Sequence, residues 1–133
     1  MLLVVEDNPL FSSCLARMLD RIHASYEIVD TGTEAIRRVL ARGEDYALIL
    51  LDMGLPDIHG ADVARGIRAI DDPAKASVPI VVMGPEMPDL PPDDLVSLHF
   101  AGLLAKAFGA AELEHTIAAC ARPKPGERAG EGK

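Results

Sequence analysis

A chain of 133 residues, 49% apolar and 26% charged, is one domain's worth of sequence, able to bury roughly two thirds of its unfolded surface. This argues against a multidomain regulator carrying its own output module. It also argues against a disordered chain, because so large an apolar fraction offsets the entropy of ordering the backbone. The net charge of −8 is unevenly placed: residues 122–133 hold four basic and two acidic residues, which leaves −10 on residues 1–121, a body that repels nucleic-acid phosphates and anionic membrane surfaces alike.

Met1 to Val5 reads as a short apolar strand ending at Glu6 and Asp7, and Asn8-Pro9 then supplies a helix cap and a proline at the first helical position. Phe11, Cys14, Leu15, Met18, Leu19 and Ile22 recur at the spacing of one helix face. Tyr26 to Val29 forms a second strand, and Thr31-Gly32-Thr33 turns it into a helix with Ala35, Ile36, Val39 and Leu40 inward, ended by Gly43. Tyr46 to Asp52 is the most apolar strand, too continuous for a half-exposed antiparallel strand and suited to the middle of a parallel sheet. A loop with Gly54, Pro56 and Gly60 leads to a helix over Ala61 to Ile70, closed by Asp71-Asp72-Pro73. Val78 to Met83 is a fourth buried strand. Four of the ten prolines then fall between residues 85 and 92, so a helix starts only near Pro92. Leu103 to Lys106 is the fifth strand, and Ala110 to Ala121 a last helix with Leu113, Ile117 and Cys120 on one face. Leu95, Leu98 and Phe100 fall on the short helix before that strand, with Phe100 an interaction anchor if exposed. Residues 122–133, rich in Gly, Pro and charge, read as a flexible tail or linker after a domain over 1–121.

The longest apolar runs are far short of the about 20 residues that cross a bilayer, and the N-terminus lacks the basic flank and cleavage pattern of a signal peptide. The expected location is therefore cytoplasmic, with Cys14 and Cys120 reduced and acting as small buried hydrophobes. His23, His59, His99 and His115 lack metal-ligand spacing and are expected at the surface.

Strands alternating with helices imply right-handed crossovers and a doubly wound parallel sheet, whose ligands sit at the carboxyl ends of the strands. Those ends carry Glu6 and Asp7, then Asp52, Gly84 and Lys106. Three carboxylates in one crevice repel one another unless a hard cation lies between them, and oxygen ligands favour magnesium over zinc. A lysine beside them neutralises an added anion.

At these residues the sequence resembles the receiver domain of two-component response regulators, over residues 1 to about 121. The likeness rests on Val4-Val5-Glu6-Asp7-Asn8, on Leu51-Asp52-Met53-Gly54-Leu55-Pro56-Asp57-Ile58-His59-Gly60, and on Lys106-Ala107-Phe108. It implies a flavodoxin-like α/β fold with strand order 2-1-3-4-5 and a fourth helix shortened by the prolines. It also implies that Asp52 accepts a phosphoryl group from a phosphohistidine on a histidine kinase or phosphotransfer protein. Asp7, Asp52 and the Gly54 carbonyl then bind magnesium, with Glu6 acting largely through a water and Lys106 neutralising the phosphoryl charge. No enzyme acting on a diffusible substrate is expected, only self-phosphorylation and autodephosphorylation, with output through a downstream protein partner.

Departures from the family pattern fall on its switch. Gly84 stands where a Ser or Thr usually ends the fourth strand, and Pro85 lacks the amide that helps hold the phosphate. Leu103 replaces a rotating Tyr or Phe. Ala107 replaces the proline after the lysine, which favours a trans bond by about 2.5–4 kcal/mol and leads one to expect Lys106 aimed differently from the family norm. Glu86 is expected to face the crevice and repel phosphate, and His59 to affect acceptor lifetime. The alternative reading is a pseudo-receiver, a binding module independent of phosphorylation, docking through the proline-rich segment and last helix.

Overall fold

The computed structural model describes residues 1–123. Five parallel strands, β1 (Leu2–Val5), β2 (Tyr26–Val29), β3 (Leu48–Asp52), β4 (Ile80–Gly84) and β5 (Phe100–Ala105), lie in the order β2-β1-β3-β4-β5. Register aligns their carboxyl ends: Val5 pairs with Val29 and Leu51, Asp52 with Met83, and Gly84 with Ala105. The helices are α1 (Pro9–Arg21), α2 (Gly32–Arg42), α3 (Gly60–Arg68), the one-turn α4 (Pro73–Ala76), α5 (Pro92–Leu98) and α6 (Ala110–Cys120).

The sheet divides the core in two. Leu3, Val5, Ile49 and Leu51 face Val39 of α2 and Val63 and Ile67 of α3, while Leu2, Val4, Leu48 and Leu50 face Leu15 and Leu19 of α1 and Leu113 of α6. The alternation along each central strand sends neighbours to opposite layers, which is why β1, β3 and β4 read as continuous apolar runs.

Several boundaries differ from the sequence reading. β3 starts at Leu48, because Tyr46 leaves the ladder to place its hydroxyl on Glu27 Oε1 at 2.6 Å. β4 runs to Gly84, and α3 ends at Arg68. Asp72-Pro73 opens a helix rather than closing one, since the Asp72 carboxylate accepts the Ala74 N–H at 3.0 Å. β5 spans Phe100–Ala105, so Lys106 follows the strand, and Phe100 begins it, partly buried against the core. α5 stops at His99, whose left-handed φ of 54° turns the chain directly into that strand. Leu40 is 52% exposed and Cys120 half-buried, and Cys14 is exposed because the inward stripe of α1 centres on Leu15 and Leu19. All four histidines are exposed.

Two half-buried guanidinium groups fasten the end of the sheet remote from the strands' carboxyl termini. Arg68 donates to the carbonyls of Leu98, Ala76 and Val78, each at 2.7 Å, and of His99 at 3.3 Å. Arg122, read from sequence as tail, donates to the carbonyls of Tyr46 at 3.0 Å and Gly43 at 2.9 Å. Burial lowers both their pKa values from the ordinary arginine range. Residues 124–133, the rest of that expected tail, lie outside the described residues.

Candidate functional site

The strand ends bring Glu6, Asp7 and Asp52 together, with one carboxylate oxygen of each within 4.8 Å of the others. Their exposures differ: Asp7 is open to solvent, Asp52 is 8% exposed and Glu6 only 1%. Glu6 Oε2 accepts the Asn8 N–H at 3.0 Å. Asn8 in turn caps α1, its Oδ1 accepting from the amides of Leu10 at 3.0 Å and Phe11 at 3.2 Å. One short segment therefore ends β1, orients the buried carboxylate and starts α1.

Lys106 reaches into this cluster, with Nζ 3.1 Å from Glu6 Oε1 and 3.3 Å from Asp52 Oδ1. No peptide among the described residues is cis, and Ala107 takes a positive φ of 73°. The trans chain after Lys106 thus still aims the side chain at the acids. The ammonium also sits 4.8 Å from the centroid of Phe11, whose ring meets that of buried Phe108 edge-on at 5.6 Å and 87°. Sequence periodicity marked Phe11 only as a core position; its contact with a lysine 95 residues away has no local signal.

Burial drives the Glu6 carboxyl above the ordinary glutamate value, against the Asn8 amide and Lys106, which favour its ionised form. Desolvation works to lower the Lys106 ammonium, but the Glu6 hydrogen bond and the charges of Asp52 and Glu6 outweigh it and hold the group above its ordinary value. Glu6 Oε1 is buried with the Lys106 ammonium at 3.1 Å as its one close cationic neighbour among the described residues, so this carboxylate oxygen keeps a lone pair for a further ligand.

The loop after Asp52 is fixed at three points. Asp57 accepts from the Gly32 and Thr33 amides, both at 2.9 Å, and from Thr33 Oγ1 at 2.6 Å, tying the loop to the start of α2. The Thr33 hydroxyl and the two amides hold the Asp57 carboxyl well below its usual range. His59 Nδ1 accepts the Ala61 N–H at 3.0 Å and caps α3. Gly60 packs so closely that a Cβ there would lie 2.7 Å from Met53 Cα and 2.8 Å from the Asp52 carbonyl oxygen. Gly54 sits beside Asp52, its Cβ position 4.0 Å from Oδ2.

On the opposite flank Asp52 opens onto a cleft of about 510 Å³, lined also by Met53, His59, Gly84, Pro85 and Glu86 among others. A Cβ at Gly84 would meet nothing nearer than the Glu86 carbonyl oxygen at 3.9 Å. Gly84 and Pro85 therefore border Asp52 directly, whereas Leu103 is 37% exposed on β5 in a separate groove with Glu112 and His115 of α6.

A doubly wound sheet with clustered acids and a lysine at its carboxyl edge defines a receiver-like architecture, and comparison with known proteins gives the family. The response regulator receiver domain family matches residues 2–118, and the chain belongs to it. It is 29% identical over 119 residues to hybrid signal transduction histidine kinase L of Dictyostelium discoideum, covering 86% of this chain and 7% of that protein. It is 35% identical over 81 residues to the cell cycle transcriptional regulator CtrA of Caulobacter vibrioides, covering 61% of this chain and 32% of that protein. The chain thus spans a third or less of these relatives. Among solved structures, the receiver domain of a sensor histidine kinase from Pseudomonas aeruginosa PAO1 has a magnesium ion coordinated in its active site cleft. It superposes with a TM-score of 0.75 at 28% identity, covering 89% of this chain and 94% of that one.

The acids here fit the same kind of ion. Three carboxylates supply oxygen ligands within one another's reach, and the buried Glu6 Oε1 has a lone pair that no protein donor takes up. Among the described residues, no helix is long and apolar enough to cross a membrane.

Proposed function

We propose that Asp52 is the phosphoacceptor of a two-component phosphorelay, charged by a phosphohistidine on a histidine kinase or phosphotransfer protein in the cytoplasm. The observation that carries this reading is the placement of the Asp52 carboxylate: Oδ1 is held by Lys106 at 3.3 Å while Oδ2 lies on the side of Gly54 and the open cleft. In the transfer, an Asp52 oxygen attacks phosphorus in line. The P–N bond breaks and its electron pair returns to the donor imidazole. Lys106, already charged and oriented by Glu6 and Phe11, meets the negative oxygens without reorganisation. Magnesium held by Asp7, Asp52 and the Gly54 carbonyl, with Glu6 behind it, would supply the remaining charge neutralisation. Output passes to a protein partner.

The test is intact-protein mass spectrometry after incubation with acetyl phosphate and magnesium. One added phosphoryl group is expected on the parent and none on Asp52→Asn; no adduct on the parent, or one that survives the substitution, overturns the reading. Gly84 and Pro85 favour a second reading, a binding module indifferent to phosphorylation, since Gly84 has no side-chain donor and Pro85 no amide donor for the acceptor. In that case Asp52→Asn leaves partner affinity unchanged.

A further inference from the structure

We propose that the cleft between the acceptor loop and the β4–α5 segment is a docking pocket for an arginine side chain presented by a protein partner. The stem would pack on methionines and the guanidinium would meet the acidic wall. This pocket does not depend on phosphorylation of Asp52.

Three features of the cleft specify that occupant. The first is space, because Gly84 ends its strand with no side chain and the volume of about 510 Å³ stays open beside Asp52. The second is an adaptable apolar lining: Met53, Met83 and Met87 all border the cleft, and Met87 is 38% exposed. Thioether side chains re-pack around flexible stems at little cost.

The third is unbalanced charge. Glu86 and Asp89 line the cleft beside Asp52, which is already paired with Lys106, and no lysine or arginine lines it. His59 also lines it, its Nδ1 taken up as acceptor of the Ala61 N–H at 3.0 Å. Where arginines lie close, acids are matched: Glu27 by Arg38 and Arg42, and Asp62 and Asp94 by Arg65, while Asp57 is held by the start of α2. Glu86 and Asp89 have no ion pair or hydrogen bond among the described residues. A planar guanidinium can bridge two carboxylates and stack its weakly hydrated stem on apolar walls, which an ammonium does less well.

The experiment titrates the unphosphorylated protein, saturated with magnesium, with acetyl-Ala-Ala-Arg-Ala-Ala-amide and follows backbone amides by NMR. The same peptide with citrulline, equal in shape but uncharged, and with norleucine serve as comparisons. The arginine peptide should shift amides of residues 53–54 and 83–90 and bind about tenfold more tightly than either comparison, as one charge-assisted contact at a partly solvated site gives. Glu86→Gln with Asp89→Asn, both at exposed positions, should abolish most of that preference while leaving the spectrum of the fold intact. Equal affinity for the arginine and citrulline peptides overturns the proposal in favour of a purely apolar groove. Shifts confined to the surroundings of Glu6 and Asp7, or no shifts at all, overturn it outright.

Discussion

Lys106→Met removes the ammonium from the site while keeping most of its stem, and the consequence is expected to depend on pH. The lost contacts, at 3.1 Å to Glu6 and 3.3 Å to Asp52, are each worth about 5 kcal/mol of Coulomb energy at an effective dielectric of about 20. Desolvation returns most of this. Truncating one partner of a fully buried pair costs about 3–5 kcal/mol. The lysine side chain is 35% exposed, so solvent screening roughly halves the effect, to about 2 kcal/mol at neutral pH. The sign with pH follows from Glu6. A carboxyl whose folded pKa is raised holds its proton more tightly in the native state, so its ionisation destabilises the fold as pH climbs from 4.5 through the folded value, and the penalty is complete above it. Lys106 limits that penalty in the parent. Its own raised pKa acts in a different window, its stabilisation being full below 10.5 and lost as pH rises through the folded value. The deficit of Lys106→Met should therefore grow upward from pH 4.5 and shrink to under about 1 kcal/mol below it, where Glu6 is protonated in both proteins. Urea denaturation in the presence of a chelator, at neutral and acid pH, measures it. An equal deficit at both would mean that Lys106 acts through stem packing, and the charge argument fails.

Ala107→Gly should stabilise the domain by about 0.5–1 kcal/mol in the same assay, because the positive φ of 73° costs a Cβ roughly 1–2 kcal/mol, of which glycine's greater unfolded entropy takes back part. Gly60→Ala should cost about 2–3 kcal/mol, since its Cβ would overlap main-chain atoms of Asp52 and Met53 that cannot rotate away; a neutral result would show that the acceptor loop shifts freely. Arg68→Ala should cost about 3 kcal/mol by leaving the carbonyls of Ala76, Val78 and Leu98 short of a donor. Its midpoint in urea should fall without change in phosphorylation at Asp52, as the guanidinium lies at the other end of the sheet.

What could be read from the sequence depended on how locally each feature is encoded. Glu6, Asp7, Asp52 and Lys106 were visible because a parallel sheet gathers its strand ends at one edge, so that finding the strands also finds the crevice. β5 was misplaced because an edge strand alternates in exposure, from half-buried Phe100 to exposed Ala101 and Leu103, and offers no continuous apolar run. Its true start depends on His99 entering the left-handed region, which a histidine does not announce. Leu40 and Cys14 satisfied the helical period yet lie at the margin of their stripes, where packing rather than spacing decides burial. The Asp57 clamp on Gly32 and Thr33 joins residues 24 and 25 positions apart, and the Phe11 contact with Lys106 is more remote still, so neither leaves a local trace.

The two flanks of Asp52 are built to different standards, and this bears on how a change at the acceptor travels. On the lysine flank every part is joined to the next. Lys106 touches Glu6, Asp52 and Phe11, its amide donates to the Gly84 carbonyl at 3.2 Å, and Phe108 carries the connection into the core beside Leu113 of α6. On the other flank, Gly84 offers no side chain and Pro85 no amide, so a new group on Asp52 has little in β4–α5 to pull upon. Coupling needs contacts that differ between two states. The contacts within reach of a group on Asp52 belong to Lys106 and, through Phe108, to the core beside α6.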